Sequence, residues 1–156
     1  MPVKQFLLAA AAVTALATPV AAQSVSASNP SSIADAIRDM GYRADVDTDS
    51  YGDPEINSAA NGVNFTIFFY RCDDRGEDCE DIQFSAGFDL NDGISMRSVN
   101  SWNDQKAVGR AFVDDEDDPY LQHYVVGVDG MSRYVFEKTF YRWVDVLDEF
   151  TDFIDW

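Results

Sequence analysis

Cys72 and Cys79, a lone His123, and two stretches dense in carboxylates are the groups in this 156-residue chain whose types and spacing could do chemistry. The cysteines are spaced C-x6-C, unlike the C-x-x-C of thioredoxin-type redox pairs. With one His they leave the four-ligand shell of zinc unfilled. Asp47-x-Asp49-x-Tyr51-Gly52 has the opening of an EF-hand calcium loop, but Tyr51 stands in the fifth ligand position and Ser58 where a bidentate Glu belongs. A turn fits those residue types better. Asp114-Asp115-Glu116-Asp117-Asp118 concentrates five carboxylates. Weak calcium binding suits such hard oxygen ligands, and a solvated hairpin tip that discourages edge pairing is the simpler reading. His123, between Gln122 and Tyr124, would be a lone base, because no Ser or Cys nucleophile motif accompanies it. Acids are too widespread for one pair to be singled out for glycoside hydrolysis, and no Gly-rich phosphate loop is present. Trp102 and Trp143 are candidates for sugar or peptide contact, but their helical spacing among apolar neighbours makes them core residues. No catalytic residue, metal ligand or cofactor is therefore expected.

Charge and the N-terminus narrow the remaining classes. Met1–Ala22 opens on Lys4, continues through an apolar run from Phe6 to Ala17, and ends Pro19-Val20-Ala21-Ala22 before Gln23. Small residues at −3 and −1 make this an expected signal peptide, too short in its apolar part to span a bilayer. No membrane insertion is expected after cleavage, and the chain is expected in the periplasm of a Gram-negative bacterium or secreted. Lys4 is the one charged residue of that segment, so its removal moves the net charge from −17 to −18. Such a balance excludes nucleic acid, whose binding requires cations that displace counterions, and docking on anionic lipid. The remaining length fits one domain, and its high aromatic content can offset the ordering entropy despite the acidity.

The elements that must position these groups follow from periodicity and punctuation. Gln23 to about residue 31 is small and polar, and is expected to be a flexible lead. Pro30-Ser31-Ser32 opens a helix in which Ser32 with Asp35 resembles a capping box, with Ile33, Ile37 and Met40 on one side and Gly41 as its stop. A β-type stretch covers Tyr42 to Asp47, a turn Asp49–Pro54, a weak strand Glu55 to Ala59, and a tight turn Asn61-Gly62. Val63, Phe65, Ile67 and Phe69 then alternate with polar or aromatic neighbours, as do Ile82, Phe84, Ala86 and Phe88. If these runs pair antiparallel with Cys72 opposite Cys79, every opposed pair adds to 151. Phe69 meets Ile82, Ile67 meets Phe84, Phe65 meets Ala86 and Val63 meets Phe88, while Tyr70–Asp81, Phe68–Gln83 and Thr66–Ser85 share the other face. A one-residue slip would set apolar against polar along most of the hairpin. An oxidising compartment favours the same link, a Cys72–Cys79 disulfide worth about 2–3 kcal/mol. A free or intermolecular thiol pair is the competing reading. Ser95 to Asn103 predicts a short helix with Met96, Val99 and Trp102 inward. Ala107–Val113 and Tyr120–Val128 predict a second hairpin of ambiguous register. From about Ser132 a long helix carries Phe136, Phe140, Trp143, Val144, Leu147, Phe150 and Ile154 as one stripe. Acids along its other side oppose the helix dipole near the C-terminus, so packing must hold it.

Motifs in this order resemble the YbjN family, in particular an exported branch. The resemblance rests on Gly41-Tyr42, Asp49-Ser50-Tyr51-Gly52-Asp53-Pro54, Gly62-Val63-Asn64-Phe65-Thr66 and the Cys72/Cys79 pair. It continues through Gln83-Phe84-Ser85-Ala86-Gly87, Asn100-Ser101-Trp102-Asn103, Asp118-Pro119-Tyr120-Leu121 and Trp143…Phe150…Phe153-Ile154. It covers roughly residues 32–156. It implies an α+β fold similar to type III secretion chaperones: an antiparallel sheet of five to six strands, a first helix, a short middle helix and a long C-terminal helix packed on it. It transfers no catalytic residues. A non-enzymatic, chaperone-like or regulatory module with a protein partner is the expected function, homodimerisation through a sheet edge or the final helix being compatible with it. A carboxylate-dependent hydrolase and a weak acidic calcium-binding protein are the alternatives.

Overall fold

The computed structural model describes residues 24–156. The expected signal peptide, Met1–Ala22, lies outside the described residues. In chain order the elements are β1 (Ser24–Val25), α1 (Pro30–Asp39), β2 (Arg43–Thr48), β3 (Pro54–Ala60), β4 (Val63–Tyr70), β5 (Asp81–Gly87), α2 (Met96–Gln105), β6 (Arg110–Val113), β7 (Pro119–Val125), β8 (Met131–Ser132) and α3 (Arg133–Ile154). Six strands form one antiparallel sheet in the order β2-β3-β4-β5-β7-β6, and β1 pairs separately with β8. This is the expected α+β architecture, with α3 laid across one face of the sheet.

Alternation decides which face is covered. In β4, Val63, Phe65, Ile67 and Phe69 are buried while Asn64 and Tyr70 are exposed. On the buried side Phe84 of β5 stands 5.4 Å from Trp143, and Phe65 lies 5.6 Å from Trp143 and 6.1 Å from Phe140. Phe136, Phe140, Trp143, Leu147 and Phe150 of α3 are all buried, as their spacing predicts. At the far end Trp102 of α2 meets Phe150 at 4.8 Å and Phe153 at 5.3 Å, and its Nε1 donates to the Gly109 carbonyl at 2.8 Å. Each fully buried large side chain contributes about 1.5–3 kcal/mol. That offsets the acids at the C-terminal end of α3, one of which, Glu149, is also paired with Lys106 at 2.7 Å.

The β4–β5 ladder follows the expected register from Thr66–Ser85 to Tyr70–Asp81. It ends there, so Phe65 with Ala86 and Val63 with Phe88 are not ladder pairs. The second hairpin resolves to Arg110 opposite Gln122 and Val113 opposite Pro119. Its strands are shorter than predicted. Gly109, at φ +78°, leaves the extended region, so β6 starts at Arg110 and Ala107 and Val108 lie outside it. Beyond Val125, the Gly127 N–H is held by Asp81 at 2.7 Å rather than by a strand.

Several expectations need correction. Residues 23–31 are not a flexible lead where they are described: Val25 and Ala27 are buried, β1 pairs with β8, and the Ala27 N–H donates to Val128. Two small apolar residues in a polar stretch give no periodic signal, and their partner lies about a hundred residues on. The first helix opens at Pro30 after Asn29, as Pro30-Ser31-Ser32 predicts, where proline loses no needed donor, but the capping box does not form. Ser32 is therefore inside the helix, donating to the Asn29 carbonyl at 2.7 Å, while Asp35 pairs with Arg38 at 2.8 Å. Met96 is 70% exposed rather than inward. Ser95 caps α2 from the preceding position, which leaves Val99 and Trp102 as the buried pair.

Candidate functional site

The carboxylate stretches singled out in the sequence are explained by the loops they occupy. In the loops opened by Asp49, Asp73 and Asp114, one hydrogen-bond pattern recurs. The N–H of the Asp donates to the carbonyl four residues on: Asp49 to Asp53 at 2.8 Å, Asp73 to Glu77 at 2.7 Å, and Asp114 to Asp118 at 3.0 Å. Its own Oδ1 accepts from the backbone N–H groups two and four residues on: Tyr51 and Asp53, Arg75 and Glu77, Glu116 and Asp118, all between 2.8 and 3.0 Å. The fourth residue of each is left-handed: Gly52, Gly76 and Asp117. A carboxylate here satisfies donors that a tight loop cannot pair with backbone. Asp118 also accepts from the Leu90 N–H at 2.9 Å, tying the acidic tip to a neighbouring loop. Hydrogen bonds from Glu77 and Arg75 hold the Asp73 carboxyl below the usual range. Among the described residues, no group of three or more His, Cys, Asp or Glu is placed to hold a metal.

Cys72 and Cys79 lie at disulfide-bonding distance at the tip of the β4–β5 hairpin. The loop they close leans on the Asp49 loop. A Cβ on Gly76 would stand 2.4 Å from the Gly52 carbonyl oxygen, so only glycine permits the approach.

That contact shapes the uncovered face of the sheet. The Asp49 loop brings Tyr51, 91% exposed, alongside Phe68 and Tyr70 of β4. Asp49, Asp53, Glu55 and Gln122 complete a cleft of about 390 Å3. Across the strands the Tyr70 hydroxyl donates to Gln83 at 2.9 Å, Gln83 to Gln122 at 3.2 Å, and Gln122 to Ser85 at 3.3 Å. The Tyr124 ring lies 5.6 Å from that of Tyr70, and its hydroxyl donates to Asp81 at 2.8 Å. Asp81 is the buried acid among the described residues, and its other oxygen takes the Gly127 N–H. Burial, followed by the charge of Asp49, raises the Tyr70 hydroxyl above its ordinary pKa; burial and Asp81 do the same for Tyr124. Both remain neutral phenols at physiological pH.

The model of the YbjN family, described as "putative bacterial sensory transduction regulator", matches residues 29–156. The chain belongs to the YbjN family. No curated protein and no solved structure matches it. Within this YbjN domain the groups weighed from sequence separate cleanly. His123 lies on the helix side of β7, half-buried against Phe84 at 6.4 Å, and burial lowers its pKa. Trp102 and Trp143 are core. Neither tryptophan nor His123 lines the cleft. Tyr51, Phe68, Tyr70, Gln83, Gln122 and Tyr124 were not singled out for function by sequence. For Phe68, Tyr70 and Tyr124 the available signal was an aromatic on a strand position that should have been simply polar.

Proposed function

We propose that this YbjN-family protein is an exported, non-enzymatic regulatory or chaperone-like module that engages a protein partner through the uncovered sheet face. The observation that carries this reading is a six-stranded sheet with one face closed by helices and the other presenting Tyr51, Phe68, Tyr70 and Tyr124. The Tyr70 and Tyr124 hydroxyls are satisfied within the sheet, so these rings can bury area against a partner without stranding a donor. The hydrolase alternative draws little support: both oxygens of buried Asp81 are engaged by Tyr124 and Gly127. Calcium binding is likewise disfavoured, since each loop-opening Asp already spends one oxygen on its own backbone. Export to the periplasm is supported by the sulfur pairing, which an oxidising compartment would preserve. For a homodimer through an edge, β2 is the better candidate. The Asn103 amide closes the β6 edge by bonding both the N–H and the carbonyl of Ala111, at 2.8 and 3.0 Å.

A photo-crosslinking residue placed in turn at Tyr51, Tyr70 and Asp145 tests the face. Adducts with another protein at the first two positions, and none on the outer side of α3 at Asp145, are expected. Adducts at Asp145 alone would overturn the reading. Mass analysis of the exported chain should find Gln23 as its first residue.

A further inference from the structure

We propose that the cleft between the Asp49 loop and β4 holds the lysine or arginine side chain of a basic, extended segment of the partner; this rests on the sheet-face reading above. The cleft combines two features that each favour a cation. Tyr51, Phe68 and Tyr70 supply ring faces, one fully exposed and two walled by the sheet, and ring quadrupoles attract ammonium and guanidinium groups. Asp49, Asp53 and Glu55 supply negative charge at the same opening. No ion pair among the described residues neutralises any of the three.

Charge complementarity selects the occupant. The chain carries 28 acids against 11 bases, so its field draws cationic partners toward it and repels acidic ones. An anionic or phosphorylated ligand would meet three carboxylates and no cation in this cleft. A purely apolar one would desolvate them without supplying a countercharge. An arginine or lysine satisfies both ring and carboxylate, while the neutral amides of Gln83 and Gln122 continue along the sheet beside it, suited to the backbone of an extended chain.

The test uses the full exported chain and a peptide of about ten residues alternating lysine and threonine, with a glutamine-for-lysine counterpart, at about 0.15 M salt. Amide and tyrosine resonances are followed by NMR. Saturable shifts centred on Tyr51, Phe68 and Tyr70 are expected with the lysine peptide. Affinity should fall about fivefold in Tyr51→Ala and about tenfold in Asp53→Asn/Glu55→Gln. It should stay within about twofold in Asp145→Asn/Asp152→Asn, which removes the same charge from the outer side of α3. Tyr51 is exposed, so its variant keeps the fold. Equal losses in the α3 variant would reduce the effect to overall charge and overturn the proposal. Equal binding of the glutamine peptide would overturn the cation assignment and leave the sheet-face reading standing. No saturable shift of cleft resonances up to about 1 mM peptide would overturn the assignment as well. Shifts that appear with protein concentration alone would assign the face to a second copy and overturn it too. Crosslinks confined to α3 would remove the sheet-face reading itself.

Discussion

The two faces of the same sheet solve opposite problems with adjacent residues. On the helix side, Phe84 stacks between His123 and Trp143 and is fully buried. One residue earlier, Gln83 turns to the other side and links Tyr70 to Gln122. The first face contributes stability by removing rings from water. The second leaves ring area exposed but satisfies its polar tips laterally, so it remains ordered without a cover. A surface of that kind contributes little to folding and is free to be selected for binding.

The sharpest way to break this contrast is to truncate both neighbours. Phe84→Ala should cost about 3–5 kcal/mol in denaturant unfolding, and Gln83→Ala no more than about 1 kcal/mol. Comparable losses would mean that the uncovered face is part of the folding core. Next in size, Cys72→Ser/Cys79→Ser should destabilise by about 2–3 kcal/mol. It should also speed hydrogen exchange at Tyr51 and Asp53, whose loop rests on the closed one. Unchanged exchange there would show that the Gly76–Gly52 contact does not shape the cleft. Smaller again, Asp114→Ala should cost about 1–2 kcal/mol because two backbone donors lose their acceptor, whereas Asp115→Ala should stay within about 0.5 kcal/mol. Equal effects would return the acidic tip to a merely solvated role.

The smallest effect concerns His123. Burial lowers its folded pKa from an ordinary 6.5, so the unfolded chain binds the proton more readily and stability falls as pH drops through that range. The melting temperature should decline from about pH 7.5 to about pH 5.5, and His123→Gln should flatten the decline. An equal slope in both proteins would place the titration elsewhere.

Much of the covered face was legible. Alternation in β4 and β5, with the cysteines as a ruler, gave the register from Thr66–Ser85 to Tyr70–Asp81, and the stripe on α3 named its buried rings. The cleft was not legible in the same way. Tyr51 read as part of a turn and Phe68 and Tyr70 as strand positions on the polar side. Nothing local says that the turn folds back beside them. Acids were equally opaque: Asp114 and Asp115 are identical in type, yet the first holds two backbone donors.

Turn chemistry, strand alternation and helical stripes act over a few residues, and for that reason the sequence by itself determined the three helices, the six strands of the main sheet, most of their inward faces and the α+β class, but not the short β1 and β8. Tertiary structure decided that β7 lies between β5 and β6, that β1 finds β8, that Asn103 closes an edge, and that two loops meet at Gly52 and Gly76. Those outcomes depend on which surfaces remain to be buried and paired after the local elements form. Segments distant in the chain settle that jointly, so no single window of sequence contains the answer.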